Sequence, residues 1–166
     1  MFFKFSGNGF ANEKKMRILA ESIIFARKIS KVVYDLFTSQ ELNMYDIFIK
    51  THFAGAHHLR NYPGDCENQH GHNWKVDVTV RATKLDECGM GIDFKVLKKV
   101  VKEVIDKLDH HDLNELPYFQ EVNPSSEHIS EFIFAQVKSL LSSDRYSLFS
   151  VTVMETDYQG LTYYGK

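Results

Sequence analysis

Apolar residues recur at helical spacing at the start of the chain. In residues 12–40 they follow mixed steps of three and four, and lysine, arginine and glutamate side chains between them supply a polar face. We therefore predict a long first helix here. Its apolar face is expected to pack on its own domain or on a sister subunit, and a partner-binding helix is the alternative.

Two further helices are predicted from the same spacing. One follows Asp93, a suitable N-cap, and the other runs from Ser126 to about residue 141 with an acidic residue in its first turn. The stripe that the second helix is expected to bury consists of Phe94, Val96, Leu97, Val100, Val101, Val104, Ile105 and Leu108.

Strand patterns fill the region between the first two helices. Residues 45–59 are rich in aromatic and β-branched side chains, and residues 70–81 alternate between apolar and polar positions. A Pro-Gly turn within residues 61–65 separates them, so the two strands should form a long hairpin. Shorter strands are expected at residues 148–155 and 161–164. The segment between Pro117 and Pro124 is predicted to be a loop.

Composition narrows the functional classes. The chain has 166 residues, about one domain, with a formal net charge of −2, so nucleic acid is not an expected partner. No run approaches the ~18 apolar residues of a membrane helix, and the start does not resemble a signal peptide. Two cysteines make no disulfide framework. We therefore expect a cytoplasmic protein with no membrane partner, in which a cysteine acts as a ligand or nucleophile.

Histidines suggest a metal site. His70 and His72 share one face of a predicted strand, so their imidazoles can converge on one ion. His57 or His58 on the preceding strand can supply a third nitrogen, and spacing does not choose between them. Three histidines with one open position are typical of catalytic zinc. The alternative is a chance pair on a solvated strand.

Three other candidates have open roles. Cys66 can be a reactive thiolate, a fourth zinc ligand or an inert turn residue. Asp109 can orient His110 for proton transfer, whereas a helix C-cap is the structural alternative. Glu155, in an apolar strand, suits the donor edge of a guanine-like ring, although a strand-end charge is equally compatible.

Six motifs occur in the order found in the 6-pyruvoyltetrahydropterin and 6-carboxytetrahydropterin synthase family, which the chain resembles over about residues 47–164. Each motif alone is a weak signal, whereas six in order are specific. They are Phe53-Ala54-Gly55-Ala56-His57-His58-Leu59, Cys66-x-x-x-His70-Gly71-His72-Asn73-Trp74, Ile92-Asp93-Phe94, Leu108-Asp109-His110-x-x-Leu113-Asn114, Asn123-Pro124-Ser125-Ser126-Glu127 and Val153-Met154-Glu155-Thr156.

The resemblance implies an α+β tunnelling fold, an antiparallel sheet with two helices packed on one face. It also implies a homohexamer, a dimer of trimers with sites between subunits, and residues 44–166 as the pterin synthase domain. Residues 1–43 lie outside the family core and form an N-terminal helical extension. The resemblance implies that the zinc ligands are His57, His70 and His72. It implies catalytic roles for Cys66 and for the pair Asp109 and His110. The implied pterin contacts are Glu155, Ser125, Ser126 and Glu127. Ser125 replaces the usual threonine of its motif and keeps the hydroxyl.

The family chemistry is elimination of triphosphate from 7,8-dihydroneopterin triphosphate. One branch forms 6-carboxy-5,6,7,8-tetrahydropterin for queuosine synthesis, and the other forms 6-pyruvoyltetrahydropterin. Glu67, beside Cys66, also matches a subgroup that makes 6-hydroxymethyl-7,8-dihydropterin for folate synthesis, so a dual-capacity enzyme and a solvated turn residue are both open. The rivals are another zinc enzyme, whose deaminase and peptidase signatures are missing, and a non-enzymatic zinc module closed by Cys66.

Overall fold

The computed structural model describes residues 9–38 and 43–165, with the side chains of residues 15–31 and 43–165. Backbone contacts divide the chain into one unit of residues 1–42 and another of residues 43–166. Helix α1, Gly9–Thr38, belongs to the first unit and confirms the first predicted helix, whose predicted end at Gln40 lies outside the described residues. Its exposed apolar side chains are Met16, Ile18, Leu19, Ile23, Ile24, Phe25 and Ile29.

A long hairpin forms the centre of the second unit, as the sequence predicts. Strand β1, Tyr45–His57, pairs antiparallel with β2, His70–Ala82, from Tyr45 opposite Ala82 to His57 opposite His70. Alternation places the odd-numbered residues near the end of β1 and the even-numbered residues at the start of β2 on the same face. Strand β1 ends at His57, two residues before the predicted end.

Three shorter strands complete a five-stranded sheet in the order β3-β1-β2-β4-β5. They are β3, His111–Asp112, β4, Tyr146–Met154, and β5, Gly160–Tyr163. The last two confirm predicted strands, whereas β3 was not predicted. The expected antiparallel sheet is correct for four strands. The β1–β3 pair is parallel, because the chain returns to the sheet edge after a helix instead of a hairpin turn.

Helices cover one face of this sheet. Helix α2, Phe94–Ile105, begins after Asp93, whose side chain accepts a 2.7 Å hydrogen bond from the Lys95 amide. Helix α4, Ser126–Leu140, confirms the third predicted helix. A short helix α3, Pro117–Glu121, occupies part of the predicted loop, with its proline at a first-turn position where no amide hydrogen is needed.

The core lies between the sheet and the helices α2 and α4, which confirms the expected α+β architecture. Two members of the predicted α2 stripe do not enter it: Phe94 is 55% exposed and Val96 47% exposed. Phe94 begins the helix, and Val96 lies roughly 100° around the axis from the buried Leu97. None of the described helices, α1 included, combines the length and apolar character needed to cross a membrane.

Candidate metal centre and its cleft

Four side chains converge at one end of the helix-covered face. One ligand atom from each of His57, His70, His72 and Glu155 lies within 4.8 Å of the others. Sheet register brings them together, since β1 and β2 pair His57 with His70 and Gly55 with His72. His57 is therefore the neighbour that joins the pair, and it is 2% exposed.

Backbone carbonyls set the tautomers of two of these histidines. His57 Nδ1 lies 2.7 Å from the Pro124 carbonyl oxygen, and His70 Nδ1 lies 2.8 Å from that of Asn68. Because a carbonyl oxygen only accepts, both Nδ1 atoms carry the proton and donate it. The Nε2 lone pairs are left available, an arrangement that orients histidine ligands in metal proteins.

Burial favours the neutral imidazoles that metal binding requires. Desolvation lowers the pKa of His57, against the opposing effect of its Pro124 hydrogen bond. Desolvation likewise lowers the pKa of His72, with Glu155 opposing the shift. Among the described residues, His57 Nε2 and His72 Nε2 are buried without a hydrogen-bond partner. Buried ring nitrogens without partners call for a ligand, and a cation suits the lone pair of His57 Nε2.

Glu155 supplies an oxygen at the same place. Its Oε1 lies 3.5 Å from His57 Nε2 and 3.3 Å from His72 Nε2. Ligands of a tetrahedral ion with bonds of about 2.0–2.1 Å are about 3.3 Å apart. The donor set therefore fits a bound metal ion. The sequence predicted Glu155 only as a contact of the pterin ring. Its closeness to the histidines depends on the register of β4 against β2, which the sequence does not reveal.

A tight hairpin holds Glu155 in position. The Glu155 amide donates to the Gln159 carbonyl at 3.2 Å, and Gln159 Nε2 donates to Glu155 Oε2 at 3.1 Å. Gly160 follows directly, and a Cβ there would lie 2.5 Å from the Val153 carbonyl oxygen. The hairpin therefore needs glycine at residue 160, and Gln159 is a site residue that the sequence gave no signal to find.

A cavity of about 330 Å³ is lined by two of the four donors, His57 and Glu155. Cys66 reaches it from the loop after β1, and residues 125–127 line it from the N-terminal end of α4. Tyr62 and Gln159 also line it and were not predicted. Cys66 is half-buried and free, and it is not among the converging donors. Glu67 is exposed and does not line this cavity.

The Asp109–His110 pair lies elsewhere in this chain. Asp109 Oδ1 accepts a 2.9 Å bond from the Ala54 amide, and its Oδ2 lies 3.0 Å from His110 Nδ1. The Ala54 bond is the main cause that lowers the pKa of Asp109, and His110 adds to it. Helix α2 ends at Ile105 with Asp106 as its cap, so the C-cap alternative for His110 is wrong.

Backbone geometry holds His110 out from the sheet. Its φ of 60° is left-handed, and its amide donates to the Ala54 carbonyl at 2.6 Å. The side chain is 81% exposed and lines a separate cavity with residues 54–56 and 71–73. The structure thus forms the predicted pair but does not bring it into the cavity of Cys66 within one chain.

Comparison with known proteins agrees with this geometry. A family model described as 6-pyruvoyl tetrahydropterin synthase matches residues 46–166. A 6-pyruvoyl tetrahydrobiopterin synthase from Dictyostelium discoideum is 34% identical over 105 residues, 62% of this chain and 76% of that protein. An Archaeoglobus fulgidus protein, provisionally named 6-carboxy-5,6,7,8-tetrahydropterin synthase, is 42% identical over 91 residues, 55% of this chain and 74% of that protein.

A solved structure shares the fold. The Caenorhabditis elegans 6-pyruvoyl tetrahydropterin synthase superposes with a TM-score of 0.69 at 29% identity, covering 75% of this chain and 98% of that one. The match therefore extends over nearly the whole of that enzyme.

Proposed function

The chain belongs to the 6-pyruvoyl tetrahydropterin synthase family, and from that premise we propose that it converts 7,8-dihydroneopterin triphosphate to 6-carboxy-5,6,7,8-tetrahydropterin. It is a pterin synthase of the lyase class, as its named relatives are. The proposed product would serve queuosine synthesis. The observation that carries the lyase activity is that Cys66, His57 and Glu155 line one cavity, where a base, a metal ligand and a ring anchor are required together. The name of the 42% identical Archaeoglobus relative favours the 6-carboxy product.

We assign the metal as zinc, held by His57, His70 and His72. Their ring nitrogens and a nearby carboxylate suit zinc, which prefers tetrahedral nitrogen and oxygen ligands. When bound, zinc would supply Lewis-acid chemistry and acidify hydroxyls of the substrate side chain.

Cys66 is proposed as the base that removes a proton from the side chain next to the ring. Its backbone is fixed by the Leu59 amide, which donates to the Cys66 carbonyl at 2.8 Å, and its side chain borders the cavity. Glu155 would bind the amino and ring N–H groups of the pterin through its carboxylate, with Ser125, Ser126 and Glu127 lining the same pocket.

Proton transfer on the other side of the substrate is assigned to His110, held by Asp109. Because this pair lines a different cavity of the chain, it would act in the site of a neighbouring subunit. This assignment accords with the proposed hexamer, in which two trimers stack and the sites lie between subunits.

The 6-pyruvoyl product is the second candidate function, supported by the name of the Dictyostelium relative. A third product, 6-hydroxymethyl-7,8-dihydropterin, depends on Glu67. Its exposure and its position outside the cavity favour a solvated turn residue in this chain. The structural zinc module is disfavoured as well, since Glu155 and not Cys66 is the fourth converging donor.

Product analysis tests the proposal. The zinc-loaded chain is incubated with 7,8-dihydroneopterin triphosphate, and the three pterins are separated chromatographically. We expect 6-carboxytetrahydropterin with release of triphosphate and acetaldehyde, loss of product in Cys66→Ala, and an unchanged product in Glu67→Ala. Cys88→Ala is the matched control, because Cys88 is exposed, free and outside the cavity.

Each other result has a defined meaning. A 6-pyruvoyl product identifies the second candidate, and a 6-hydroxymethyl product that disappears in Glu67→Ala identifies the third. If the zinc-loaded chain consumes no pterin triphosphate and unfolds on chelation, the protein is a structural zinc module and the enzyme proposal is wrong.

A further inference from the structure

Beyond the end of β1, the backbone exchanges hydrogen bonds with side chains in place of a neighbouring strand. The His58 amide donates to Asn114 Oδ1 at 2.9 Å, and Asn114 Nδ2 donates back to the His58 carbonyl at 3.0 Å. The backbone N–H and C=O of His58 are therefore both hydrogen-bonded to the side-chain amide of Asn114.

Asn123 repeats the arrangement two residues later. The Arg60 amide donates to Asn123 Oδ1 at 2.9 Å, and Asn123 Nδ2 donates to the Arg60 carbonyl at 3.0 Å. In an antiparallel sheet, a hydrogen-bonded residue pair exchanges the same two bonds, and the pattern recurs at every second residue. A side-chain amide has the donor and acceptor of a peptide group. Asn114 and Asn123 thus replace a strand beside residues 58–60, and we call the two side chains the asparagine clamp.

The clamped segment joins three parts of the site. Its near end follows His57, one of the converging donors. Its middle residue, Leu59, bonds on the side away from the two asparagines: the Leu59 amide donates to the Cys66 carbonyl at 2.8 Å. Its far end is bonded to Asn123, and the neighbouring Pro124 carbonyl accepts from His57 Nδ1 at 2.7 Å.

The main chain of Asn123 extends these contacts to the α4 wall of the cavity. Its carbonyl accepts from His128 Nδ1 at 2.8 Å and from the Ser125 amide at 2.8 Å. A shift of the clamped segment would therefore move a metal ligand, the thiol and the residues that face the pterin together.

We propose that Asn114 and Asn123 are positioning residues that fix His57 Nε2 relative to the Cys66 thiol. The role of Cys66 as base rests on the proposed function, whereas the positions of His57 and Cys66 are measurable without turnover. The amides act through the backbone of residues 58–60, and neither lines the cavity of Cys66.

The fold near the clamp has independent support. Arg60 Nη2 donates to the carbonyls of Phe119 at 2.8 Å and Val122 at 2.7 Å, which holds the turn containing Asn123. Asp112 Oδ1 accepts from the Asn114 amide at 3.0 Å, which holds the turn containing Asn114. Changes to the two side-chain amides are therefore expected to leave the chain folded.

The test uses Asn114→Asp and Asn123→Asp in a Cys88→Ala background. Aspartate keeps the size and the acceptor but places an oxygen against the His58 or Arg60 carbonyl, so one bond becomes a repulsion. Co²⁺ affinity is read from quenching of Trp74, the only tryptophan, whose ring centroid is 4.9 Å from that of His57. The environment of Cys66 is read from its rate of alkylation by iodoacetamide.

We expect each variant to weaken Co²⁺ binding about tenfold or more, as loss of groups that orient ligands does, and to change the alkylation rate of Cys66. Val101→Ala, in the buried face of α2, lowers stability away from the clamp and should leave both readouts unchanged. Asn43→Asp introduces the same charge outside the site and should do likewise. Asn114→Ser and Asn123→Ser remove the bonds without adding charge and should reproduce the losses.

The proposal is overturned if the folded serine and aspartate variants keep wild-type Co²⁺ affinity and wild-type Cys66 alkylation. It is also overturned if Val101→Ala, at matched thermal stability, reproduces their losses, since the amides would then act only on stability. Neither readout uses a pterin. A wild-type chain that turns over no pterin would therefore refute the proposed lyase activity separately from the clamp.

Discussion

The Nε2 atom of His72 lies 3.3 Å from the Oε1 atom of Glu155. At neutral pH this is not an ion pair of full charges, because burial lowers the pKa of His72 and keeps the imidazole neutral. The spacing is that of two ligands on one tetrahedral ion. We expect the Glu155 carboxylate to approach the metal when the cavity lacks a pterin and to turn to the ring when one is bound.

Glu155→Gln tests whether the carboxylate contacts both the metal and the pterin ring. Glutamine keeps the size of the side chain and removes its charge, so we expect about tenfold weaker Co²⁺ binding together with a raised KM for the pterin. His72→Ala should weaken Co²⁺ binding further, because it removes one of the proposed nitrogen ligands. Trp74 quenching measures both variants. Unchanged metal affinity with a raised KM would assign Glu155 to the ring alone.

The metal-free chain should lose stability as the pH falls. His57 and His72 have a folded-state pKa below the unfolded value of about 6.5, since both are desolvated. The unfolded state therefore binds more protons, and the free energy of unfolding decreases once the pH drops through about 6.5. The decrease ends below the folded-state pKa, where both states are protonated.

Urea unfolding of chelator-treated protein between about pH 5 and 8 measures this slope. His57→Gln and His72→Gln should each flatten it, whereas His111→Gln, an exposed control, should not. Saturating metal should stabilise the chain most at the upper end of the range, because protons compete for the same nitrogens. An equal slope in His57→Gln and the parent chain would contradict the assignment.

Much of the sheet follows from the sequence, because thirteen-residue strands leave a clear alternation. The strand predicted over residues 45–59 runs two residues past the end of β1, and the segment that follows β1 is bonded to asparagine side chains, which no periodicity reveals. Strand β3 has two residues and α3 has five, so neither is long enough to show a period.

The convergence of the histidines was predictable where they share one strand. His70 and His72 needed only the two-residue repeat. The choice of His57 over His58 needed the face of β1 that enters the core, and the place of Glu155 needed the β2–β4 register. Family resemblance supplied the first choice, and the structure adds the closeness of Glu155 to His57 and His72.

Gly160→Ala should destabilise the chain by about 1–3 kcal/mol. Its Cβ would lie 2.5 Å from the Val153 carbonyl oxygen and 2.7 Å from Met154 Cγ, so the β4–β5 turn must open. Gly71→Ala is the matched control, since its nearest neighbour is the Gly55 carbonyl oxygen at 3.8 Å. Urea unfolding of both variants measures the difference. Equal stability would show that the turn opens without a penalty.

Residues 44–166 should fold and bind metal without the N-terminal extension, whose boundary we propose at residue 43. The family match begins at residue 46, and the second compact unit begins at residue 43. We expect the shortened chain to keep the Tm and Co²⁺ affinity of the full chain. Circular dichroism and Trp74 quenching measure both quantities. An unfolded product would make the extension part of the core.

Asp109→Asn tests proton transfer by His110. The asparagine Oδ1 can still accept from the Ala54 amide, so the side chain stays in place, while the negative charge beside His110 Nδ1 is lost. We expect kcat to fall by about 10²–10⁴ with little change in KM or Co²⁺ affinity. A kcat of Asp109→Asn equal to that of the wild-type chain would show that the pair is structural. If His110 carries the proton, a His110→Gln variant should lose as much activity as Asp109→Asn.

Mixed oligomers decide which chain supplies this pair. Asp109→Asn and Cys66→Ala are each expected to be inactive alone. Because His110 and Cys66 line different cavities of one chain, unfolding and refolding the two variants together should restore activity at sites that combine an intact Cys66 with an intact Asp109. Recovery on mixing, absent when each variant is refolded alone, would show that the site spans two subunits. No recovery in a confirmed mixed oligomer would require both groups from one chain, and His110 would then have to move to the cavity of Cys66.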